Sequence, residues 1–151
     1  MKNNVGFTLL ELMIVIIILG VLAALISGNF ITSLKKGRDA RRKGDLEQIQ
    51  RSLEMFYEDK KAYPASITFD AKFCENNPCG ATDKVYMQKV PTDPSGKNYR
   101  YCTNTSTNQY QLYAYLENSN DLKIISPSYL SSCTADCPNC NYGIAGTDTT
   151  P

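Results

Sequence analysis

The sequence predicts an α+β fold. A long N-terminal α-helix, membrane-spanning in its first half and amphipathic in its second, carries a small antiparallel β-sheet domain packed on it. Three observations predict this. From Leu12 to Ile26 every residue is apolar, counting Gly20 with its neighbours. From Asp45 to Lys61 the apolar residues Leu46, Ile49, Leu53 and Phe56 recur at helical spacing, and Glu47, Arg51, Glu54 and Glu58 fall on the opposite face. Beyond Pro64, two segments rich in strand formers, Tyr99–Thr103 and Tyr110–Glu117, flank the polar stretch from Asn104 to Asn108.

Taken in order, residues 1–6 form a short polar leader with Lys2 as its charge. Phe7 to Ile26 is twenty residues, about the length that crosses a hydrocarbon core at ~1.5 Å rise per residue. Glu11 stands where this apolar stretch begins. An ionised side chain there costs about 2.5 kcal/mol or more unless it reaches the interface or finds a partner, so Glu11 needs a reason. Ser27-Gly28-Asn29 interrupts the apolar run, and Gly28 reads either as a bending point or as a place where helices pack closely. Leu34 to Lys43 then carries six basic residues and one acid, a cluster that would attract anionic headgroups. With no proline between Phe7 and Tyr63, the helix is expected to continue to Lys61. Ala62-Tyr63-Pro64 ends it, because the residue before proline is pushed out of the helical region.

The string Gly6-Phe7-Thr8-Leu9-Leu10-Glu11, preceded by Lys2 and followed at once by the apolar helix, resembles the N-terminus of the type IV pilin-like proteins, which include pilins and secretion pseudopilins. The resemblance implies a pilin fold and a structural role without enzymatic activity. It implies that a prepilin peptidase cuts between Gly6 and Phe7 and methylates the new terminus at Phe7. It also implies that Glu11 neutralises the Phe7 amine of a neighbouring subunit. The implied partners are further pilin-like subunits in a homopolymer, the membrane, the peptidase, an inner-membrane platform protein and a motor ATPase. The implied location is the cytoplasmic membrane as a single pass with the N-terminus inside, and then an extracytoplasmic filament. Counted alone, the basic run after the helix would keep that end in the cytoplasm; the leader motif and the downstream cysteines point the other way. A cleaved secretory signal fits poorly, since Leu22 to Gly28 offers no good small-residue cleavage site. A plain signal anchor carrying a non-polymerising binding or metal module has no use for Glu11, and stands as the alternative.

The second half extends the resemblance. Pro91-Thr92-Asp93-Pro94-Ser95-Gly96, Tyr99-Arg100-Tyr101 and Tyr110-Gln111-Leu112-Tyr113 look like the proline-aspartate-proline loop and strand pair of major pseudopilins of type II secretion. The match covers about residues 1–116. Tyr86 to Asn98 reads as a short helix or turn followed by a loop, one further strand is expected around Leu122–Ile125, and the tail from Cys133 reads as irregular. The implied organisation is a leader at 1–6, a transmembrane and assembly helix at 7–30, its amphipathic continuation at 31–61, a head at 62–132 and a cysteine-rich tail at 133–151. Many such pseudopilins bind calcium after the second strand. Here Glu117, Asn118, Asn120 and Asp121 are the available oxygens, without the usual glycine-rich acidic run, so no cofactor is expected and calcium is the exception to consider.

All six cysteines lie beyond the apolar helix, which suits an oxidising compartment. Six cysteines allow fifteen pairings and sequence selects none; the set carried forward is Cys74–Cys79, Cys102–Cys133 and Cys137–Cys140. A thiolate zinc knot of Cys133, Cys137 and Cys140 with Cys74 and Cys79 is the competing reading. Cys137-Pro138-Asn139-Cys140 also has redox-motif spacing but lacks a surrounding βαβ pattern. The chain has no histidine, which removes the commonest general base and zinc ligand, and no phosphate-cradling glycine loop. A net charge of +1 advertises no nucleic-acid affinity.

Overall fold

The computed structural model describes residues 6–104, 108–125 and 139–146, with the side chains of residues 27–29 outside that description. One helix, α1, runs from Leu9 to Lys60 over 52 residues, about 78 Å at ~1.5 Å per residue. It passes through Ser27-Gly28-Asn29 without a break. Thr8 caps its start in an extended conformation, its hydroxyl accepting the Glu11 N–H. Lys61 closes its end in the left-handed region at φ 54°, donating its N–H to the Tyr57 carbonyl at 2.7 Å. Asn108 fastens the exit, accepting the Tyr63 N–H at 3.1 Å while its amide donates to the Lys61 carbonyl. The helix therefore stops within a residue of the expected place, with Pro64 three residues beyond the cap.

The head holds two small antiparallel sheets. β1 (Phe73–Cys74) pairs with β2 (Val85–Met87). β3 (Arg100–Asn104), β4 (Gln109–Ala114) and β5 (Tyr142–Ala145) form a three-stranded sheet with β4 in the centre. The register sets Tyr101 opposite Leu112, Leu112 opposite Ile144 and Tyr113 opposite Gly143.

Leu46, Ile49, Leu53 and Phe56 are all buried, packed with Phe73, Tyr86, Val90, Tyr99, Tyr110 and Leu112 in one core. The core is rich in tyrosine, whose ring is buried profitably only if its hydroxyl finds a partner. α1 supplies those partners from beside the apolar stripe. Asp45 accepts from Tyr99 (2.7 Å), Asp59 from Tyr86 (2.7 Å), and the two oxygens of Glu54 accept from Tyr110 (2.8 Å) and Tyr63 (3.0 Å). Burial and the neighbouring carboxylate push the Tyr86 phenol up to about 12. Glu54, expected on the outer charged face, thus belongs to the docking surface. Ser52 is buried beside the stripe and returns its hydroxyl to the Gln48 and Ile49 carbonyls.

Three sequence expectations are corrected. Tyr86 lies in a strand, not in a helix or turn. Leu122 and Lys123 form a turn, and no strand runs over 122–125. The region after Cys133, expected to be irregular, contributes β5. β5 pairs along the far edge of β4, and Cys140 and Cys102 pack on Tyr113, so alternation fails there: Gln111 and Tyr113 are as buried as Tyr110 and Leu112. A Cβ at Gly143 would stand 2.7 Å from the Tyr113 ring; only glycine lets that ring lie against β5.

Leu53 is fully buried between helix and sheet. Leu53→Ala is expected to destabilise the head by about 2–5 kcal/mol, measured as a lowered urea midpoint of the full chain in detergent.

Candidate functional site

The first half of α1 is bare. From Leu9 to Ile26 every side chain is exposed, as are Phe30, Ile31 and Leu34. This stretch is long and apolar enough to cross a membrane by length and composition. Such a surface is stable only in lipid or against other apolar surfaces, since a bare apolar face in water forfeits about 25 cal/mol per Å². At its start Glu11 forms a capping box with Thr8: its Oε2 accepts the Thr8 N–H and the Thr8 hydroxyl, both at 3.2 Å. Both bonds fall on one oxygen. Among the described residues, Oε1 has no bonded partner, so Glu11 can cap its own helix and still present an acceptor. Gly6, Phe7 and Glu11 stand together at this tip, with Phe7 exposed.

The second half of α1 is gripped by the head through an ionic clamp. Arg42, from the basic run that follows the apolar stretch, is fully buried. Its Nε donates to Asp93 Oδ2 at 2.5 Å, its Nη1 to Asp39 Oδ1 at 2.6 Å, and its Nη2 to Glu117 Oε1 at 2.7 Å and to the Ser95 hydroxyl. Arg38 adds two bonds to Glu117, from Nε to Oε1 (3.0 Å) and from Nη2 to Oε2 (2.5 Å). Two guanidiniums meet three carboxylates, and backbone donors satisfy the excess. Asp39 accepts the N–H groups of Glu117 and Asn118, at 2.9 and 2.8 Å. Asp93 accepts those of Ser95 and Lys97, at 2.7 and 3.3 Å. Next to Arg42 on α1, Lys43 pairs with Asp121 at 2.6 Å.

These contacts set the charge states. The Arg38 and Arg42 bonds hold the Glu117 carboxyl down at about 2, against an ordinary 4.5. Burial pushes Asp93 up, but the Arg42 and Ser95 bonds outweigh it and its carboxyl lies below the usual range. Burial likewise disfavours the Arg42 charge, and Asp93, Glu117 and Asp39 more than restore it.

Of the four residues considered for calcium, the side chains of Glu117, Asn118 and Asp121 are engaged within the chain. Both oxygens of Glu117 face arginine, Asp121 Oδ2 faces Lys43, Asp121 Oδ1 accepts the Lys123 N–H at 2.9 Å, and Asn118 Oδ1 accepts the Asn120 N–H. Calcium takes six to eight oxygens; here the acidic oxygens already face protein cations. Among the described residues no group of three or more histidine, cysteine or acidic residues is arranged to hold a metal.

Cys74 and Cys79 form a disulfide with Cα atoms 5.5 Å apart, which removes both from the zinc knot. Cys102 and Cys140 are each disulfide-bonded and pack with Tyr113 on the sheet face turned away from the main core. Cys133 and Cys137 lie outside the described residues.

Sequence comparison agrees with both halves of this geometry. Residues 1–27 match the model of the prokaryotic N-terminal methylation motif, and residues 29–121 match that of type II secretion system (T2SS) protein G. Curated relatives include the type II secretion system core protein G of Pseudomonas aeruginosa, 32% identical over 75% of this chain and 83% of the relative. The protein of the same name from Aeromonas hydrophila is 34% identical over 66% of this chain and 73% of its own length, and that from Vibrio cholerae 30% over 67% and 72%. No solved structure matches the chain. An α+β chain with a bare apolar helix, a methylation-type N-terminus and a clamped head is a pilin-like protein, and this chain belongs to the type II secretion system protein G family. Its match begins where the methylation motif ends and takes in the whole clamp. Sequence reasoning reached Gly6, Phe7 and Glu11 from their local motif. It missed the clamp, although Asp39 and Arg42 at i,i+3 and the lone acid between Pro91 and Pro94 were both in view.

Arg42→Met leaves three buried or half-buried carboxylates facing one another without their shared cation. Breaking such a site costs about 3–5 kcal/mol, so this variant is expected to lose much of its urea stability. The depressed Glu117 and Asp93 groups stabilise the fold above their ordinary values, and this stability is lost as they protonate. Wild-type stability should therefore fall from about pH 4.5 toward about 2, and Glu117→Gln should flatten that fall, as followed by acid titration of near-UV dichroism.

Proposed function

We propose that this chain is a structural subunit of a type II secretion filament, made as a membrane-anchored precursor and polymerised through the first half of α1. The observation that carries the reading is the placing of the Gly6-Phe7 motif and Glu11 at the tip of a helix whose apolar side chains from Leu9 to Ile26 are exposed among the described residues. Processing between Gly6 and Phe7 creates an ammonium at Phe7. A carboxylate in the membrane edge is relieved by an opposite charge, and Oε1 of Glu11 is the acceptor left for it. As subunits leave the lipid, their apolar helices must be re-covered by neighbours. A head-to-tail contact that does not close then propagates as a filament. The peptidase, platform protein and motor ATPase come from the family resemblance, as do the single pass with its N-terminus inside and the absence of catalysis.

The competing reading is a signal-anchored module that never polymerises, and the N-terminus separates the two. Mass spectrometry of the purified protein is expected to find a methylated Phe7 at its start; an intact Met1 supports the anchor. Glu11→Ala should leave membrane insertion unchanged and sharply reduce filaments under electron microscopy, and abundant normal filaments from that variant would exclude the charge pairing.

We further propose that the head does without a divalent cation, its acidic loop being neutralised by Arg38, Arg42 and Lys43. Adding EDTA or millimolar calcium to the purified full chain should leave its melting temperature unchanged. A clear drop in EDTA that calcium reverses would overturn this.

A further inference from the structure

Among the described residues, the acids next to the start of the clamped half of α1 are taken up by its cations, and lysines are left over. Asp39, Glu117 and Asp121 are all paired with cations of α1. Lys35, Lys36 and Lys123 are exposed and have no ion pair among the described residues. Lys36 and Lys123 line one open depression with Ala40, Lys43 and Leu122. Leu122 is 101% exposed, the most exposed large apolar side chain of the described head. Its turn is held firmly. Asp121 donates its N–H to the Asn118 carbonyl (3.1 Å), Ile124 to the Asp121 carbonyl (3.2 Å), and Lys43 ties the Asp121 side chain to α1. A leucine fixed outward between unpaired lysines has the chemistry of an interfacial contact, with a short apolar wedge and a cationic rim.

Its height on the helix fits. This loop is tied to α1 at Lys43 and shares an open depression with Lys36 and Ala40, toward the apolar half. Exposed apolar side chains continue through Phe30 and Ile31 to Leu34. From Leu9 that is about 39 Å of helix at ~1.5 Å per residue against a hydrocarbon core of about 30 Å. A span longer than the core tilts, and tilt lowers one flank of the head. Charge selects the flank that faces anionic lipid.

We propose that, before assembly, Leu122, Lys123 and Lys36 dock the head onto the anionic phospholipid surface from which α1 emerges. The inference rests on the membrane-anchored reading above. Docking would hold the head against the bilayer at a fixed tilt, so that incoming subunits meet it in one orientation.

The chain has no tryptophan, so Leu122→Trp places a unique fluorophore at the wedge without disturbing a buried site. Full-length protein carrying this change is reconstituted into vesicles of phosphatidylcholine with or without phosphatidylglycerol. With phosphatidylglycerol, emission is expected to shift to shorter wavelength and to be quenched by lipids brominated in their acyl chains. Removing Lys36 or Lys123 as Lys→Gln should lower the docked-to-undocked ratio about fivefold each. Long-wavelength emission, indifferent to brominated and anionic lipid while the chain stays with carbonate-washed vesicles, would overturn the docking and leave the anchor intact. Loss of the chain from washed vesicles would overturn both. A blue shift that vanishes when protein is diluted at constant lipid would assign the surface to a second copy, and so overturn the lipid contact.

Discussion

Taking a guanidinium out of water costs several kcal/mol even after relaxation, and Arg42 recovers that cost from carboxylates brought by three separate stretches of chain. Asp39 comes from its own helix, Asp93 from the proline-flanked loop and Glu117 from just beyond β4. No two of these would satisfy it. The apolar stripe of α1 determines that a sheet packs there, but a greasy stripe tolerates sliding along its length. The clamp does not, because each bond of a planar fork has one geometry. The position of the head along the helix is therefore fixed by such directional bonds, of which Arg42 gathers the most at one side chain.

The two halves of α1 present opposite physical problems on one continuous rod. In the half after Lys36 the head provides a core, tyrosine hydroxyls seated on Asp45, Glu54 and Asp59, and an ionic lock. The half before it has side chains facing outward all round and carries the Thr8–Glu11 box at its tip. Stability and association are thus separated along the sequence. Changes in the stripe or clamp act on the fold of a single subunit, whereas changes near the tip act on what that subunit joins.

Much of this was legible because period and punctuation are local. The 46–49–53–56 stripe, the proline after the helix and the Tyr-rich strand pair each declare themselves within a dozen residues. β5 did not. Tyr142-Gly143-Ile144-Ala145 is four residues with a glycine inside, and its reason to be a strand is the far edge of β4, beside the ring of Tyr113. β1 and β2 are too short to carry a pattern. Arg42 was hidden for a different reason. It sits in a run of six basic residues where charge predicts exposure, and its burial follows from acids more than fifty residues away. Glu54 was hidden likewise, as its role is set by two tyrosine hydroxyls that arrive from elsewhere. The tip residues were readable because their chemistry is complete within six positions.

The order of strands has a consequence for biogenesis. β4 lies in the middle of its sheet, yet its partner β5 is made about thirty residues after it. During that interval one side of β4 offers unpaired backbone groups, a template for any other extended chain, in a protein destined to crowd against copies of itself. The arrival of β5 seals that side with Gly143 under the Tyr113 ring and Ala145 bonded to Gln50 of the helix. Nascent heads are thus open to mispairing until β5 is in place, and crowding should follow that closure.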